Sequence, residues 1–379
     1  NDYSTWASIV KSNLTENEDK TLSRVESTSK GVIVEKYSSD GKKLLSSKVI
    51  KNELEIFGGY FSGTNNNYLV FGQKNTKEDD KNEVMRIVKY SKEWEKINDC
   101  KIYGANTAVP FSAGSLRMIE LDGKLYVYTC HEMYADSNGT NHQANMLFMI
   151  DENTMKITDS MYDVSNLQDG YVSHSFNQFI KTDGTYIYRV DHSESNNVVM
   201  GNQCLSVNGI TLTMYDKNNE STNVITSIPV KFDIHNGNYT GASIGGFEIG
   251  CGKCLIAYSQ DISQNTRCRN IYISVTDKYF NNSKTVALTN YKKDKAVTCR
   301  TPQMIKINEN LFLVMWEESD LSTGKVVTKA MTIDSSAKTV SDAITLSYRL
   351  SDCQPVFCRD GSVKWYVTDN TSPKIYSIN

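Results

Sequence analysis

The chain has 379 residues, of which 39% are hydrophobic and 22% are charged, which is enough to form a buried core and excludes wholesale disorder. The net charge is −3, so no electrostatic footprint points to nucleic acid or to an anionic membrane. The sequence has no apolar run of about 18 residues and no phosphate-binding P-loop motif, so neither a membrane-spanning helix nor the common nucleotide chemistry is expected.

A repeating unit of short strands and polar turns runs along the chain in place of helical periodicity. Each unit reads as a short strand, a tight turn, a Tyr-rich strand, a longer polar loop and two further strands. The clearest turns are Asp122-Gly123 and Asp183-Gly184, because Asp-Gly between alternating apolar strands is typical of hairpin turns that need positive φ. The pattern predicts an all-β fold, a β-propeller of seven four-stranded blades, with six blades as the alternative.

The repeat predicts a single propeller domain over residues 1–379. The last unit is too short for four strands, so we expect Tyr3–Trp6 near the N-terminus to supply the missing outer strand and close the ring, because an open sheet edge promotes aggregation. The expected blade boundaries are approximately 1–52, 53–107, 108–165, 166–236, 237–292, 293–348 and 349–379.

The five histidines are confined to residues 131–235. His131 and His192 each stand eight residues after the glycine of an Asp-Gly turn, at equivalent ends of second strands. His174 begins an inner strand, and His142 closes the loop that follows His131. All four are therefore expected at the loop-rich face of the propeller, where function usually resides.

Imidazoles that converge on one face can transfer protons near neutral pH or ligate a divalent metal. His131, His174 and His192 are accordingly the candidate catalytic residues and the candidate ligands of a metal, zinc or calcium; no other cofactor is indicated. The alternative is that each histidine packs or hydrogen-bonds locally.

Acids, amides and aromatic side chains on the same face are the groups that bind sugar hydroxyls and stack on sugar rings. A solvated rim is the alternative interpretation, and the run Asn75–Asn82 is read as a solvated loop. The candidate ligand-binding residues are Arg117, Glu132, Tyr134, His142, Gln178, Asp191, Arg300, Trp316 and Glu317.

Two further motifs suggest metal sites only weakly. Cys251 and Cys254 have the spacing of half a zinc site, but no second such pair follows, and buried free thiols are favoured for most of the nine cysteines. Asp136–Asn141 carries alternating oxygen ligands around a glycine, as in half a calcium loop, but lacks the closing glutamate. A polar hairpin loop is the favoured interpretation of that segment.

Several segments resemble propeller domains of secreted or surface proteins from gut and anaerobic Firmicutes, a family without an assigned activity. The resemblance implies an extracellular or cell-surface location. The N-terminal residues, which lack a Met, suggest that the chain begins within a longer product or after a cleaved signal. The segments that carry the resemblance are Phe57–Tyr60, Tyr68–Gln73, Gly114–Met118, Cys130–Tyr134, Asn141–Asn145 and Val172–Gln178.

A second resemblance concerns mechanism. His174 and His192 are placed like the histidines of some seven-bladed polysaccharide lyases, one at the start of an inner strand and one at the end of the next strand. That resemblance implies a Tyr, here Tyr239 or Tyr134, and an Arg, here Arg300 or Arg117. With the histidines they would neutralise a uronate and abstract its C5 proton.

Three functions therefore remain open. The main hypothesis is an extracellular module that binds glycan or polysaccharide and belongs to a larger surface protein with other domains. The second is a polysaccharide lyase or hydrolase that uses His131, His174 and His192. The third is a protein-interaction scaffold, since fold alone does not decide among these roles.

Overall fold

The computed structural model describes residues 8–162, 177–200, 203–216, 219–229, 241–262, 268–292, 296–369 and 372–379. All regular structure in these residues is β-strand, arranged in seven antiparallel sheets. No helix in the described part of the chain is long and apolar enough to cross a membrane.

The first four sheets follow one another along the chain, and in each of them successive strands pair as neighbours, except that the two-residue first strand of sheet 3 pairs with the third strand of that sheet. Sheet 1 contains β1 (Ser12–Glu16), β2 (Leu22–Thr28), β3 (Gly31–Tyr37) and β4 (Leu44–Ile50). Sheet 2 contains β5 (Ile56–Ser62), β6 (Asn67–Gly72), β7 (Glu83–Tyr90) and β8 (Lys96–Tyr103). Sheet 3 contains β9 (Val109–Pro110), β10 (Arg117–Leu121), β11 (Lys124–Ala135), β12 (Asn141–Asp151) and β13 (Lys156–Met161). Sheet 4 contains β14 (Phe179–Thr182), β15 (Tyr186–Met200), β16 (Gln203–Asp216) and β17 (Asn219–Pro229).

The remaining three sheets complete the described structure. Sheet 5 contains β18 (Ala242–Gly250), β19 (Lys253–Asp261), β20 (Arg269–Asp277) and β21 (Lys284–Ala287). Sheet 6 contains β22 (Val297–Cys299), β23 (Gln303–Asn308), β24 (Leu311–Asp320), β25 (Val326–Ile333) and β26 (Ile344–Leu346). Sheet 7 contains β27 (Val356–Phe357), β28 (Val363–Asp369) and β29 (Ser372–Ile378).

These consecutive antiparallel sheets are the blades of a β-propeller, so the predicted fold class is confirmed. Six sheets have four or five strands and the seventh has three. The described residues thus contain six complete blades, which agrees with the alternative prediction and corrects the main prediction of seven four-stranded blades. The main prediction drew the fourth strand of the last blade from the N-terminal residues, and the described residues supply only three strands to that sheet. The strand expected from Tyr3–Trp6 lies outside the described residues.

The described residues form two compact units, one from those between 52 and 229 together with 8–10, and one from 11–51 together with those between 241 and 379. The first unit holds sheets 2, 3 and 4, and the second holds sheets 1, 5, 6 and 7. Within the second unit, sheet 7 contacts sheet 1, because the Arg24 guanidinium lies 5.0 Å from the centre of the Tyr366 ring.

Both predicted turns connect paired strands, but only Asp122-Gly123 is a two-residue turn with positive φ at both positions. Asp183-Gly184 lies in a longer connection between β14 and β15, in which Gly184 has a φ of 91° and Asp183 does not have positive φ. Asp122 and Gly123 join β10 to β11 with φ values of 51° and 72°. Cys251 and Gly252 join β18 to β19 with φ values of 49° and 67°. Positive φ at both central residues is the conformation that matches the right-handed twist of paired strands.

The core of the first unit lies between sheets 2 and 3. Alternate residues of β6 and β11, including Tyr68, Val70, Leu125 and Val127, point into one cluster and are buried. Burying such side chains contributes roughly 1.5–3 kcal/mol each relative to leaving them exposed, so this interface stabilises the pair of sheets.

Polar contacts also join sheets 2 and 3 at the end that carries the Asp122-Gly123 turn. Glu120 of β10 accepts a hydrogen bond from the Thr64 amide at 2.6 Å. The Tyr68 hydroxyl donates to Glu152 at 2.8 Å, and the Lys89 ammonium donates to the Glu152 carbonyl oxygen at 2.7 Å. Burial, followed by a hydrogen bond to the Glu120 carboxyl, raises the pKa of Glu152 from 4.5 to about 7.

This raised pKa predicts a stability that depends on pH. The folded protein holds the Glu152 proton more tightly than the unfolded chain does. The associated stability is therefore fully present below pH 4.5 and is lost as pH rises through about 7. We expect the thermal midpoint of the wild type to fall over this range more steeply than that of Glu152→Gln, measured by circular dichroism.

Glu93→Gln, a substitution at an exposed position elsewhere in the unit, serves as the control and should keep the wild-type slope. Equal slopes in wild type and Glu152→Gln would contradict the assignment.

Candidate functional site

The segment that leads from sheet 2 into sheet 3 adopts an unusual backbone beside the predicted site. Gly104, Ala105 and Asn106 have successive φ values of 59°, 47° and 48°. Phe111 and Ala113 are also in the left-handed region, at 60° and 55°. Non-glycine residues rarely adopt this conformation, and it concentrates at functional sites.

This segment seals His131 into the protein. The His131 side chain is fully buried, and its Nδ1 lies 2.7 Å from the Thr107 hydroxyl. That hydroxyl donates its single hydrogen to the Ala105 carbonyl at 2.8 Å, so it accepts from His131 Nδ1–H. The imidazole is therefore held in one orientation and one tautomer. This arrangement agrees with the alternative interpretation that a histidine packs and hydrogen-bonds locally.

Next to His131, polar side chains emerge at the end of sheet 3. Glu132 of β11 and Gln143 of β12 form a cross-strand pair, and both are half-buried. The Ser112 hydroxyl donates to Glu132 Oε2 at 3.4 Å, and Gln143 Nε2 donates to the Ser112 hydroxyl at 3.2 Å. A carboxylate, an amide and a hydroxyl thus lie side by side, and all three side chains are partly exposed.

Tyr134 is anchored by the loop that sequence analysis read as merely solvated. Its hydroxyl accepts from Asn75 Nδ2 at 3.0 Å and donates to Asp80 Oδ1 at 3.1 Å. Burial, followed by the hydrogen bond to Asp80, raises the pKa of Tyr134 to about 12, so the phenol is neutral at physiological pH. Asn75 is itself buried, which corrects the interpretation of this part of the 75–82 loop.

The Asp136–Asn141 loop is a hydrogen-bonded hairpin turn. Asp136 Oδ1 accepts from the amides of Thr140 at 3.0 Å and Asn138 at 2.8 Å, and these bonds lower the pKa of Asp136. His142 Nε2 lies 3.2 Å from Asp136 Oδ2. The structure therefore agrees with the interpretation of this segment as a polar hairpin loop, because the Asp136 carboxylate accepts hydrogen bonds from backbone amides of the same loop.

A second polar group is buried between sheets 3 and 4. Gln178 Oε1 accepts from the Ser115 amide at 2.8 Å, and Gln178 Nε2 donates to Asn145 Oδ1 at 3.0 Å. Asn145 Nδ2 donates in turn to Asp191. Gln178 and Asp191, two predicted site residues, are thus brought together through Asn145, which sequence reasoning missed. The signal for Asn145 was a polar residue at the start of the apolar run of β12.

Arg117 and His192 lie near this group but have different surroundings. The Arg117 guanidinium lies 5.0 Å from the centre of the Phe179 ring and donates to the Leu116 carbonyl at 3.1 Å. It therefore packs sheet 3 against sheet 4. His192 follows Asp191 in β15 and is only 2% exposed.

Three predicted ligand-binding residues lie in the second compact unit. Glu317 is fully buried and accepts two bonds from Arg349, at 2.7 and 3.0 Å, and one from the Leu350 amide at 3.0 Å. Arg300 Nη1 lies 3.6 Å from the same carboxylate. The neighbouring Trp316 is buried, so its ring face is not available to stack on a sugar. Arg349 is the member of this group that sequence reasoning missed.

The predicted metal site remains a prediction. His174 and Tyr239 lie outside the described residues, so the expected convergence of His131, His174 and His192 stays untested. Within the described ranges, no group of three or more His, Cys, Asp or Glu side chains is placed to hold a metal ion.

The described thiols are free, and most of them are buried. Of the eight cysteines whose side chains the structure describes, Cys251 is exposed and the other seven are buried. Burial raises the pKa of the Cys130 thiol, and the nearby Asp191 carboxylate adds to this effect. Cys251 sits at the β18–β19 turn while Cys254 is enclosed in β19, so their spacing reflects a hairpin.

This difference predicts selective alkylation. We expect iodoacetamide to modify Cys251 in the native protein and Cys254 only after unfolding, because the reagent cannot reach a buried thiol. Peptide mass spectrometry separates the two sites, and Cys251→Ser serves as the control. Equal modification of both residues in the native state would show that the hairpin assignment is wrong.

Comparisons with known proteins identify the fold and no family. The sequence matches no protein-family model, and no curated protein matches it. Among solved structures it is similar to the polysaccharide lyase Uly1, at 10% identity over 97% of this chain and 89% of that one, with a TM-score of 0.51. The chain is a β-propeller. Identity at this level shows the fold alone.

Two further likenesses are more distant. Drosophila Plexin A in complex with Semaphorin 1b is 12% identical over 95% of this chain and 84% of that one, with a TM-score of 0.48. The endo-arabinase from Bacteroides thetaiotaomicron is 10% identical over 99% and 97%, with a TM-score of 0.37.

Proposed function

We propose that this propeller is an extracellular carbohydrate-binding module of a larger surface protein. It binds glycan at the end of sheet 3, through a surface formed by Ser112, Glu132, Tyr134, Asn141, His142 and Gln143, here called the strand-end site. The observation that carries the proposal is the contrast between partly exposed acids and amides at this site and the fully buried His131 beside them.

The groups of the strand-end site suit binding to sugar hydroxyls. Each sugar hydroxyl is both donor and acceptor, and Glu132 and Gln143 supply an acceptor and a donor on adjacent strands. The Ser112 hydroxyl contacts both of these side chains, and Asn75 and Asp80 hold the Tyr134 hydroxyl, before a ligand arrives. Such preorganisation reduces the entropy lost on binding and so raises affinity.

Further details of the proposal rest on the repeat and on the resemblance. Residues near the N-terminus complete sheet 7 as a seventh four-stranded blade, and the parent protein places the module outside the cell. The contact between sheets 1 and 7 supports the first of these, since it brings the beginning and the end of the repeat together.

Glycan-array binding tests the proposal. Glu132→Gln replaces a carboxylate, which only accepts hydrogen bonds, by a carboxamide of similar volume, which also donates them. We expect this substitution to lower the affinity for glycan at least about tenfold, or about 1.4 kcal/mol. Glu93→Gln, at the exposed β7–β8 turn of the same unit, should bind like wild type. Absence of glycan binding by wild type, or unchanged binding by Glu132→Gln, would contradict the proposed site.

A polysaccharide lyase is the second candidate, and the similarity to Uly1 supports it. In this case, a uronic-acid polymer is cleaved to unsaturated products that absorb ultraviolet light. Turnover should be lost in His192→Ala while circular dichroism shows an intact fold. Binding of the polymer without any rise in absorbance would exclude this candidate and leave the binding module.

A further inference from the structure

A cavity of about 470 Å³ opens on the first unit at the opposite end of sheet 3 from the strand-end site. Lys124, next to the cavity, and Glu132 are eight residues apart along β11, which corresponds to roughly 26 Å. We call this space the turn cavity, because hairpin turns of sheets 2 and 3 surround it. Its polar lining includes Thr64, Asn66, Lys89, Glu120, Glu152 and Asn153.

The turn cavity is held by contacts that span two sheets. Glu120 accepts from the Thr64 amide, Tyr68 donates to Glu152, and Lys89 donates to the Glu152 carbonyl. The Asp122-Gly123 turn on its edge is a rigid two-residue hairpin. A cavity of a few hundred Å³ with a preformed lining has the dimensions of a small-molecule site.

The charges of the lining select the class of ligand. Burial and the contact with Glu120 keep a proton on Glu152 up to about neutral pH. The carboxyl pair then carries one negative charge, which the Lys89 ammonium balances. Neither a free anion nor a free cation is favoured by such a lining. The side-chain amides of Asn66 and Asn153 add both donors and acceptors.

We propose that the turn cavity binds a neutral, hydroxyl-rich ligand, a single sugar residue, and is a second saccharide site separate from the strand-end site. Glu120 and Glu152 accept and donate hydrogen bonds to its hydroxyls, and Asn66 and Asn153 contact it from two turns. The charged and titratable groups facing the pair are Tyr68, Lys89 and Asp122.

Titration calorimetry with monosaccharides tests this proposal. The probes are glucose, galactose and N-acetylglucosamine, with glucuronate and glucosamine as charged controls. Asn65→Trp fills the cavity from an exposed turn position, and Asn138→Trp places the same side chain on an exposed turn elsewhere in the unit. We expect a neutral sugar to bind wild type and Asn138→Trp equally, and Asn65→Trp at least about tenfold more weakly.

The pH of the titration provides a second measurement. Affinity for the neutral sugar should fall as pH rises through about 7, because the second carboxyl then loses its proton and the lining becomes negative. Glu152→Gln should remove this dependence while leaving the fold intact by circular dichroism.

The outcomes separate this proposal from the function proposed above. No binding of any neutral sugar, or binding only of a charged probe, overturns the turn-cavity proposal. Binding that Asn65→Trp leaves unchanged but Glu132→Gln abolishes also overturns it and assigns the sugar to the strand-end site. Loss in Asn65→Trp with unchanged binding in Glu132→Gln supports the turn cavity whether or not the strand-end site binds glycan.

Discussion

Replacing Glu317 with alanine should lower the free energy of unfolding by about 3 kcal/mol. The change removes a buried carboxylate that accepts three hydrogen bonds, two from Arg349 and one from the Leu350 amide. Hydrogen bonds to charged groups contribute about 1.5–3 kcal/mol each, and leaving a buried donor without a partner adds a desolvation cost. Partial exposure of both arginines keeps the loss below the sum of these values, since water solvates them. Urea unfolding measures the change.

An exposed ion pair of the same sheet provides the matched control. Glu309 is largely exposed and pairs with Lys306. Surface pairs contribute little, so Glu309→Ala should leave the urea midpoint unchanged within error. If Glu317→Ala also left it unchanged, Glu317 would not be the structural residue that its burial indicates. Its original assignment as a ligand-binding residue would then regain support.

Replacing Gly114 with alanine should destabilise the protein by about 1–3 kcal/mol through overpacking. A Cβ at this position would collide with the Cys130 sulfur and lie 3.1 Å from Gln178 Oε1. The substitution therefore pushes apart the residues that connect Ser115, Gln178 and Asn145 between sheets 3 and 4. Thermal and urea unfolding measure the loss.

A double-mutant cycle locates the cause of that loss. Cys130→Ala removes the sulfur that a Cβ at position 114 would strike. We expect Gly114→Ala to cost clearly less in the Cys130→Ala background than in wild type, which is the sign of a direct contact. Strictly additive effects would mean that the collision is not the source of the destabilisation.

Local patterns were sufficient for the elements and their order. The Asp122-Gly123 turn and the alternation of apolar residues in β11 are properties of neighbouring residues, because turn chemistry and strand period act within a few positions. His131 and His192 occupy equivalent positions in the repeat, but the prediction that they end their strands is wrong, because β11 continues to Ala135 and β15 to Met200.

Burial and partner choice depended on residues distant in the chain. The repeat predicts the strand that carries His131, but the enclosure of His131 by Thr107 depends on the left-handed segment that begins at Gly104. The sequence predicts Glu317 as a ligand-binding acid, whereas in the structure its carboxylate pairs with Arg349, 32 residues later in the chain. The sequence does not distinguish a polar residue that is buried against a charged partner from one that stays exposed to solvent.

The sequence by itself determined an all-β repeat and the places of its turns, because these follow from short-range periodicity. The tertiary structure alone decided which of those polar groups are enclosed and which stay partly exposed, and it brought Glu120 and Glu152 together at the turn cavity. The physical reason is that desolvation and hydrogen bonding depend on side chains that are distant in the chain, from other strands of the same sheet or from a neighbouring sheet, and no local pattern encodes their distances.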